Sequence, residues 1–320
     1  MSPSVAWREL VAGPDDAGRR LDKILRVVLK DSSLSEIYAA LRKGRIRVNG
    51  RKAEPERRLE EGDRIFLHSS LRPAVFSETM HNVDEEDLGQ IADILILATA
   101  DLLFVNKPRG KLSQGSNGLE GRIRDLLSSR REASLSFVPG PLHRLDRNTT
   151  GILAFPRSAK GARVFTAMLR ERRIVKRYLA LVDGEVSAHD EWRDRIARDD
   201  RSMTSAVSEK GNEAYAEMRP LLTYGGQSLL LIELHSGLTH QIRVQASSRR
   251  IPLTGDAKYG GEPFTGGYIL HALSLEFPES PFSDLPELVT APLPMDARDR
   301  LATVFGAEAL QSALDRAHEA

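Results

Sequence analysis

The chain has 320 residues, of which 41% are hydrophobic and 28% charged, as in a globular protein of about two domains. It contains no cysteine, which excludes disulfides, thiolate catalysis and cysteine-ligated zinc or iron–sulfur centres. No apolar run is long enough for a transmembrane helix, and the first residues lack the apolar core of a signal peptide, so we expect a cytoplasmic protein.

The net charge of +1 is distributed unevenly along the chain. Residues 17–58 contain 13 Lys or Arg and 5 Asp or Glu, a net charge of +8, so the rest of the chain carries −7. A basic N-terminal module on a mildly acidic body favours a polyanionic partner for that module. The solvated surface of a small domain is the alternative.

Two helices and a hairpin are predicted in the basic module. Residues 20–29 have apolar side chains at helical spacing, and the sequence SLSE at 33–36 is a capping-box pattern that begins a second helix. A strand at 45–48 precedes Asn49-Gly50, a strong tight-turn signal. Four cations lie around the end of the second helix and the following strand, where they can follow a phosphate backbone: Arg42, Lys43, Arg45 and Arg47.

This pattern resembles the S-four-like RNA-binding domain, which we assign to residues 17–68. Residues 1–16 are then an N-terminal tail, and residues 69–90, which mix Pro, Ser, Asp and Glu, are a linker. Residues 91–320 form the second domain. The linker predicts that the two domains can move relative to one another.

The second domain opens with predicted strands at 94–97 and 102–105, followed by the sequence NKPRG and a polar loop at 114–118. A glycine-rich loop before a helix can bind phosphate. The chain has neither the Walker spacing nor Gly-x-Gly-x-x-Gly, so a nucleotide-cofactor site is not predicted.

The sequence LHRLDRNTTG at residues 142–151 contains one carboxylate, Asp146, flanked by Arg144 and Arg147 and followed by a short apolar strand. Nearby cations favour the charged form of a carboxylate. A charged group on a loop held by rigid structure is a common setting for catalysis. An Asp that braces the turn through local ion pairs is the alternative.

A helix capped by Ser158 and a strand over residues 174–184 are predicted next. The helix ends in a basic cluster at 170–173, which can contact phosphate or simply complete an exposed helix end. Tyr178 lies on one face of the strand, where a tyrosine is most often half-buried packing. Residues 187–212 are polar and predict an insertion or a hairpin at the rim of a cleft.

The sequence HSGLTHQIRV at residues 235–244 predicts a helix capped by Thr239, with His240 and Arg243 in its first turn. A surface arginine at an ordinary helix start is the alternative. His143 and His240 have no neighbours at ligand spacing, so no metal site is predicted. Nor does a Gly-x-Ser-x-Gly sequence indicate a serine hydrolase.

The C-terminal region predicts a strand over residues 268–277 and a loop over residues 281–294. A helix that includes Leu301 and a weakly packed helical tail at 307–320 complete the chain.

Three sequences in this order resemble the signature motifs of the RluA-type pseudouridine synthases: HRLDRNTTG, KRYLALVDG and THQIRV. The resemblance implies an α+β fold with a mixed, mainly antiparallel sheet. It implies that Asp146 is catalytic and that Arg243 pairs with it and keeps it ionised. It also implies that Tyr178 stacks on the target uracil, with proton transfer as a further role, and that Leu270 packs beneath the base.

Three positions depart from the family pattern: Ser236 and Leu238 replace Thr and Arg, and Thr150 replaces the usual Ser. In the second motif the glycine follows Asp183, so its spacing is also altered. The missing arginine at 238 puts in question a phosphate or loop contact but leaves the catalytic pair intact.

The resemblance implies an enzyme that isomerises specific uridines of RNA, with large-subunit ribosomal RNA as the expected substrate and transfer RNA as the alternative. The reaction needs no redox step, so no cofactor is expected, and we expect a monomer. Further candidates for RNA contact are Arg144, Arg147 and His240. A non-catalytic RNA-binding or ribosome-assembly protein is a second hypothesis, against which the intact Asp146, Tyr178 and Arg243 argue.

Overall fold

The computed structural model describes residues 7–71, 88–115, 117–127, 134–135, 137–199 and 203–319. Within these ranges the chain forms a four-stranded sheet near the N-terminus and a ten-stranded sheet in the remainder. All strand pairs are antiparallel except one, so the predicted α+β class with a mixed, mainly antiparallel sheet is confirmed. No helix in the described part of the chain is long and apolar enough to cross a membrane.

The N-terminal module contains two helices packed on a small sheet with the strand order β1-β4-β2-β3. Its elements are β1 (Trp7–Val11), α1 (Leu21–Val28), α2 (Leu34–Arg42), β2 (Ile46–Val48), β3 (Arg51–Lys52) and β4 (Arg64–His68).

The structure contains the helix start and the tight turn that local sequence patterns predict in this module. The Ser33 hydroxyl accepts the Glu36 N–H at 3.3 Å, and the Glu36 carboxylate accepts the Ser33 N–H at 2.7 Å, which completes the capping box. Asn49 and Gly50 have φ angles of 51° and 77°, the left-handed pair that a two-residue hairpin turn requires.

The N-terminal tail predicted over residues 1–16 differs from the structure, because Trp7–Val11 pairs with the full length of β4. This edge strand has no fully buried side chain, and only Leu10 packs against the core of the module. An apolar alternation strong enough to predict a strand is therefore missing from its sequence.

Most of the predicted linker, residues 72–87, lies outside the described residues. Hydrogen bonds nevertheless join the two domains. The buried Asp16 carboxylate accepts the Ser134 hydroxyl at 2.8 Å and the Leu135 N–H at 2.7 Å, and Asp15 accepts the Ala159 N–H at 2.9 Å. Relative motion of the domains stays a prediction.

The second domain is built on one long sheet with the strand order β10-β9-β11-β12-β8-β13-β7-β6-β5, and β14 pairs with β13. Its elements are β5 (Leu95–Ala98), β6 (Leu102–Lys107), α3 (Leu119–Leu127), β7 (Thr150–Pro156), α4 (Ala159–Arg170), β8 (Val175–Asp183), β9 (Asp190–Asp199), β10 (Thr204–Val207), β11 (Asn212–Tyr224), β12 (Gln227–Leu234), α5 (Gln241–Ser248), β13 (Leu270–Glu276), β14 (Leu288–Thr290), α6 (Met295–Phe305) and α7 (Ala307–His318).

The parallel pairing of β7 with β13 joins the two halves of this sheet. Gly151 has a φ of 108°, and a Cβ at this position would lie 2.2 Å from the Ala272 carbonyl oxygen, so the close approach requires glycine. Beside it, the Thr150 hydroxyl lies 2.9 Å from His271 Nδ1, and His271 Nε2 lies 3.0 Å from the Ala291 carbonyl oxygen. The threonine that departs from the family pattern thus retains a bonded hydroxyl.

Strand β8 contributes to a different core on each face of the sheet, as its period-two pattern predicts. Tyr178, Ala180 and Val182 belong to the larger core, which α3, α4 and α5 cover. Leu179 and Leu181 belong to a second core beneath α6 and α7. The sheet therefore lies between two helical layers.

The C-terminal tail is packed more firmly than predicted, because it forms α7, whose apolar side chains meet the leucine-rich face of the sheet. Leu310, Ala313, Leu314 and Ala317 are all buried. The predicted loop at 281–294 also contains a short strand, Leu288–Thr290, which pairs with β13.

Candidate active site

A buried lysine anchors the loop that carries Asp146. Lys107 is fully buried, and its Nζ donates to the carbonyl oxygens of Pro108 at 3.1 Å, Lys111 at 2.8 Å and Arg147 at 3.0 Å. Burial lowers the pKa of Lys107 to about 8, although the nearby Asp146 opposes this effect. Three carbonyl acceptors compensate the lost hydration of the ammonium group and fix the loop backbone.

The loop residues before Asp146 are held by a separate set of hydrogen bonds. The buried Ser113 hydroxyl accepts the Leu145 N–H and donates to the Leu145 carbonyl oxygen, both at 3.0 Å. His143 Nε2 accepts the Ala154 N–H at 3.1 Å, and burial lowers the pKa of His143 to about 4. His143 is therefore a neutral structural residue, and the backbone on both sides of Asp146 is held in place.

Arg243 contacts Asp146 across 97 positions of sequence. Arg243 Nη1 donates to Asp146 Oδ2 at 3.1 Å, and the side chains are 7% and 18% exposed. The same guanidinium binds Asp256 through two hydrogen bonds, Nε to Oδ2 at 2.6 Å and Nη2 to Oδ1 at 2.8 Å. Burial, the largest single effect, opposes the charge of Arg243, but the hydrogen bonds to Asp256 and the electrostatic effects of Tyr268, Asp256 and Asp146 together raise the pKa of the guanidinium.

Tyr178 lines a cavity together with Asp146 and Arg243, and it keeps its phenolic proton. Its side chain is buried, and burial raises the pKa of the hydroxyl well above its usual value, an effect to which the charge of Asp146 adds. The ring is therefore available as a neutral aromatic surface or as a hydroxyl donor, and not as a phenolate base.

His240 approaches Asp146 from the start of α5. Its Nε2 lies 3.7 Å from Asp146 Oδ2, and its backbone has a left-handed φ of 60°. The prediction that Thr239 caps this helix is wrong, since His240 is the N-cap residue and makes no side-chain cap bond. Instead, Gln241 Oε1 accepts the Leu238 N–H at 3.1 Å, and the Thr239 hydroxyl accepts a hydrogen bond from Arg198 at 3.2 Å.

Two cavities meet at Asp146. The first, of about 360 Å³, contains Tyr178 and Leu270, and the Arg170 and Arg172 side chains also line it. The second, of about 610 Å³, is lined by Arg147, Arg198 and Lys258 among others. Both cavities are lined by Arg144, Leu145, Asp146, Thr239, His240 and Arg243. An extended polyanion lying across Asp146 would thus meet cations on either side.

The cations predicted to contact RNA from the N-terminal module form a separate group. Arg42, Lys43, Arg45 and Arg47 are exposed, and they line neither of the two cavities. The Arg47 guanidinium lies 4.9 Å from the centre of the Trp7 ring and donates to the Gly44 carbonyl oxygen. The structure brings the motif residues of the second domain together but leaves this group on its own surface.

Sequence reasoning missed three residues that surround Arg243. Asp256 is 2% exposed and forms the paired hydrogen bonds described above. The rings of Tyr259 and Tyr268 each lie 4.8 Å from the guanidinium carbon, within cation–π distance. No role was predicted for the sequence GDAKYG at 255–260, because a single carboxylate in a glycine-rich loop has no partner visible in sequence.

The described residues contain no group of three or more His, Cys, Asp or Glu side chains placed to hold a metal ion.

Comparison with known proteins identifies the family to which the chain belongs. The RNA pseudouridylate synthase family model matches residues 101–248, and the S4 domain model matches residues 19–65. The chain belongs to the RNA pseudouridylate synthase family, as the three motifs predicted, and this membership also rests on its curated relatives.

These relatives match most of the chain. Ribosomal large subunit pseudouridine synthase C of Escherichia coli (strain K12) is 32% identical over 293 residues, which cover 86% of this chain and 89% of the relative. The protein of the same name from Pasteurella multocida (strain Pm70) is 31% identical and covers 90% and 91%. The solved structure of human RNA pseudouridylate synthase domain containing 4 matches 68% of this chain and 95% of its own, with a TM-score of 0.56 at 20% identity, which supports the fold.

Proposed function

We propose that this protein isomerises specific uridines of large-subunit ribosomal RNA to pseudouridine, with Asp146 as the catalytic residue. The proposed substrate class rests on the relatives, which match at least 86% of the chain and are named as ribosomal large-subunit synthases. The observation that carries the chemistry is the 3.1 Å contact between Arg243 and Asp146, in a cavity that Tyr178 also lines.

The reaction rearranges one nucleotide without adding or removing atoms. The bond between uracil N1 and ribose C1′ breaks, and a bond between uracil C5 and C1′ forms. C5 loses its proton, and N1 gains one. The base must leave its stack to be turned, at a cost of a few kcal/mol, and a cavity of about 360 Å³ is within the range of small-ligand sites.

Asp146 is placed to react with the extruded nucleotide. Its Oδ2 faces Arg243 and His240, and no hydrogen bond to Oδ1 is present among the described residues. An ionised carboxylate can attack the sugar or the base, or remove a sugar proton. Each of these three routes needs a charged, fixed carboxylate, and we assign its orientation to Arg243.

We assign to the Tyr178 ring the role of stacking on the target uracil. Stacking of a base on an aromatic ring contributes about 1–3 kcal/mol, and Leu270 lines the same cavity as an apolar surface beneath the base. Because burial keeps the Tyr178 hydroxyl protonated, a proton-transfer role would begin with donation from this hydroxyl.

We propose that the RNA strand crosses the site in contact with cationic side chains. Arg144 and Arg147 are exposed beside Asp146 and are assigned phosphate contacts there, with His240 at the junction of the two cavities. Arg42, Lys43, Arg45 and Arg47 are assigned a second, sequence-independent contact through the N-terminal module. We further propose a cytoplasmic monomer that needs no cofactor.

Replacement of Asp146 by Asn tests this proposal. RNA labelled with tritium at uracil C5 releases the label when the carbon–carbon bond forms. We expect Asp146→Asn to release none while it binds RNA as the unmodified protein does. Asp296→Asn, which changes an exposed carboxylate on α6, should retain release. Label release by Asp146→Asn would remove Asp146 from the mechanism.

The same assay separates the alternatives. A non-catalytic assembly protein would bind RNA and release no label with the unmodified chain. A synthase for transfer RNA would release label from transfer RNA and not from ribosomal RNA. Mapping the modified positions in each RNA would then identify the target uridines.

A further inference from the structure

Three successive contacts lead from the β9–β10 hairpin to the catalytic carboxylate. The Ser205 N–H on β10 donates to the Tyr259 hydroxyl oxygen at 3.0 Å. The same oxygen lies 2.7 Å from His240 Nδ1. The other ring nitrogen of His240, Nε2, lies 3.7 Å from Asp146 Oδ2.

The surroundings of His240 determine where its proton lies. A carboxylate oxygen repels a lone pair and attracts an N–H, so the nitrogen that faces Asp146 carries the proton. Nδ1 of the neutral ring is then an acceptor. The Tyr259 hydroxyl already accepts the Ser205 N–H, and its own proton is free to be donated to Nδ1.

Burial favours this neutral form of the imidazole. Burial lowers the pKa of His240, and Arg243 and Lys258 add to this effect. The carboxylates of Asp146 and Asp256 oppose it. A neutral imidazole carries one proton, on either Nδ1 or Nε2. The position of this proton decides which nitrogen donates a hydrogen bond and which one accepts.

The backbone of His240 supports a positioning role. Its φ of 60° and ψ of 20° place a non-glycine residue in the left-handed region, which is unfavourable for a residue with a Cβ atom. Such outliers persist where the surrounding structure fixes them, and they cluster at functional sites. Here the hydrogen bond to Tyr259 and the approach to Asp146 both depend on this conformation.

The β9–β10 hairpin, which sequence analysis left without a function, holds this arrangement in place. In addition to the Ser205 contact, the Met203 carbonyl oxygen accepts from Lys258 Nζ at 2.6 Å. Arg198 donates to the Thr239 hydroxyl at 3.2 Å, next to His240. The hairpin thus bonds both to the turn that carries Tyr259 and to the start of α5.

We propose that Tyr259, seated by the β9–β10 hairpin, is a positioning residue that holds His240 as the neutral Nε2–H tautomer directed at Asp146 Oδ2. The consequence for catalysis rests on the function proposed above for Asp146. The N–H of His240 and that of Arg243 then both face Oδ2, which directs the other carboxylate oxygen towards the substrate.

The tautomer can be observed directly in the full-length protein labelled with ¹⁵N at histidine. Long-range proton–nitrogen correlation spectra distinguish the two neutral tautomers and the imidazolium, and His240→Gln identifies the His240 signals by their loss. At pH 7.5 we expect only the Nε2–H form in the unmodified protein. An Nδ1–H form or an imidazolium at His240 in the unmodified protein would overturn the proposal.

Tyr259→Phe tests the origin of the tautomer. Loss of the hydroxyl should give a mixture of both neutral forms, and an unchanged pure Nε2–H spectrum would overturn the role of Tyr259. Tyr268→Phe is the matched control. Tyr268 lies at the same 4.8 Å from Arg243 but forms no hydrogen bond with His240 among the described residues, so its loss of a hydroxyl should leave the tautomer unchanged.

Kinetics then connect the tautomer to the reaction. Tyr259→Phe should lower kcat by about tenfold, the scale of one hydrogen bond, and leave KM unchanged. An increase in KM with unchanged kcat would indicate a binding role and overturn the proposed one. If the unmodified protein releases no tritium from any RNA, the proposed function fails, and the spectra still decide the tautomer.

Discussion

Two carboxylates share the guanidinium of Arg243. Asp256 takes two of its hydrogen bonds and Asp146 takes one, at 3.1 Å. The three groups together carry a single negative charge, and the two that are almost fully buried form the better paired contact. Asp256 thus compensates the charge of Arg243 and fixes its plane, and Asp146 keeps an oxygen for the reaction.

Removal of Asp256 would leave Arg243 buried with one partner fewer. We predict that Asp256→Ala lowers the free energy of unfolding by about 3 kcal/mol, because the buried guanidinium loses two of its three hydrogen bonds to carboxylates. Asp93→Ala is the control, since its pair with Arg122 is 63% and 43% exposed and should be worth less than about 1 kcal/mol. Urea unfolding measures both, and equal losses would contradict the prediction.

His271 makes the stability of the sheet depend on pH. Burial lowers the pKa of His271 to about 4 from its ordinary 6.5, so the unfolded chain binds the proton first as the pH falls. The contribution of His271 is fully present above pH 6.5 and is lost progressively towards pH 4. Between pH 7 and pH 5 this loss amounts to about 2 kcal/mol.

Comparison with a variant isolates this contribution. His271→Asn should be less stable at pH 7, but its free energy of unfolding should fall about 2 kcal/mol less than that of the unmodified protein between pH 7 and pH 5. His318→Asn, which removes an exposed imidazole from α7, is the control. An identical fall for His271→Asn and the unmodified protein would show that this ring is not held neutral.

At the scale of elements, helix α7 covers the leucine-rich face of the sheet. Its residues 310, 313, 314 and 317 form one stripe at helical spacing, and each is buried. The prediction of a weakly packed tail failed because the partner of this stripe, which includes Leu179, Leu181 and Leu229, lies far away in sequence. An amphipathic pattern shows that a face is to be covered but does not identify what covers it.

Truncation of one side chain measures this packing. Leu310→Ala should lower the free energy of unfolding by about 3 kcal/mol through lost burial and the cavity left behind. Met295→Ala, at a side chain that is 78% exposed, should change it by less than about 0.5 kcal/mol. A negligible effect of Leu310→Ala in thermal or urea unfolding would instead support the prediction of a weakly packed tail.

At the scale of the whole molecule, the N-terminal module and the second domain present cations on different surfaces. We predict that replacing Arg42, Lys43, Arg45 and Arg47 together by Gln weakens RNA affinity and flattens its dependence on salt. Each lost phosphate contact should reduce the slope of log affinity against log salt by about 0.7 to 0.9. Label release at saturating RNA should be retained, because these residues do not line the cavities at Asp146.

A variant with two cations removed elsewhere measures the effect of lost positive charge outside the module. Arg298 and Arg316 are exposed on the C-terminal helices, and Arg298→Gln with Arg316→Gln should leave the salt slope close to that of the unmodified protein. A slope unchanged by the four substitutions in the module would contradict its role in RNA binding. Filter binding across a salt series provides the measurement.

The sequence by itself determined the family, the class of fold and the positions of most local elements. Ser33 and Glu36 define a helix start, Asn49-Gly50 defines a turn, and the alternation in β8 assigns its two faces, because each signal depends on neighbours within a few residues. The three motifs identified Asp146, Tyr178 and Arg243 as candidates through resemblance.

Only the tertiary structure decided which groups touch. It placed Arg243 against Asp146 and added Asp256, Tyr259 and Tyr268 around the same guanidinium, and it gave the β9–β10 hairpin a contact with the site. The start of α5 also moved from Thr239 to His240. These contacts join residues far apart in sequence, and their energies depend on burial and distance, which no local pattern of residues specifies.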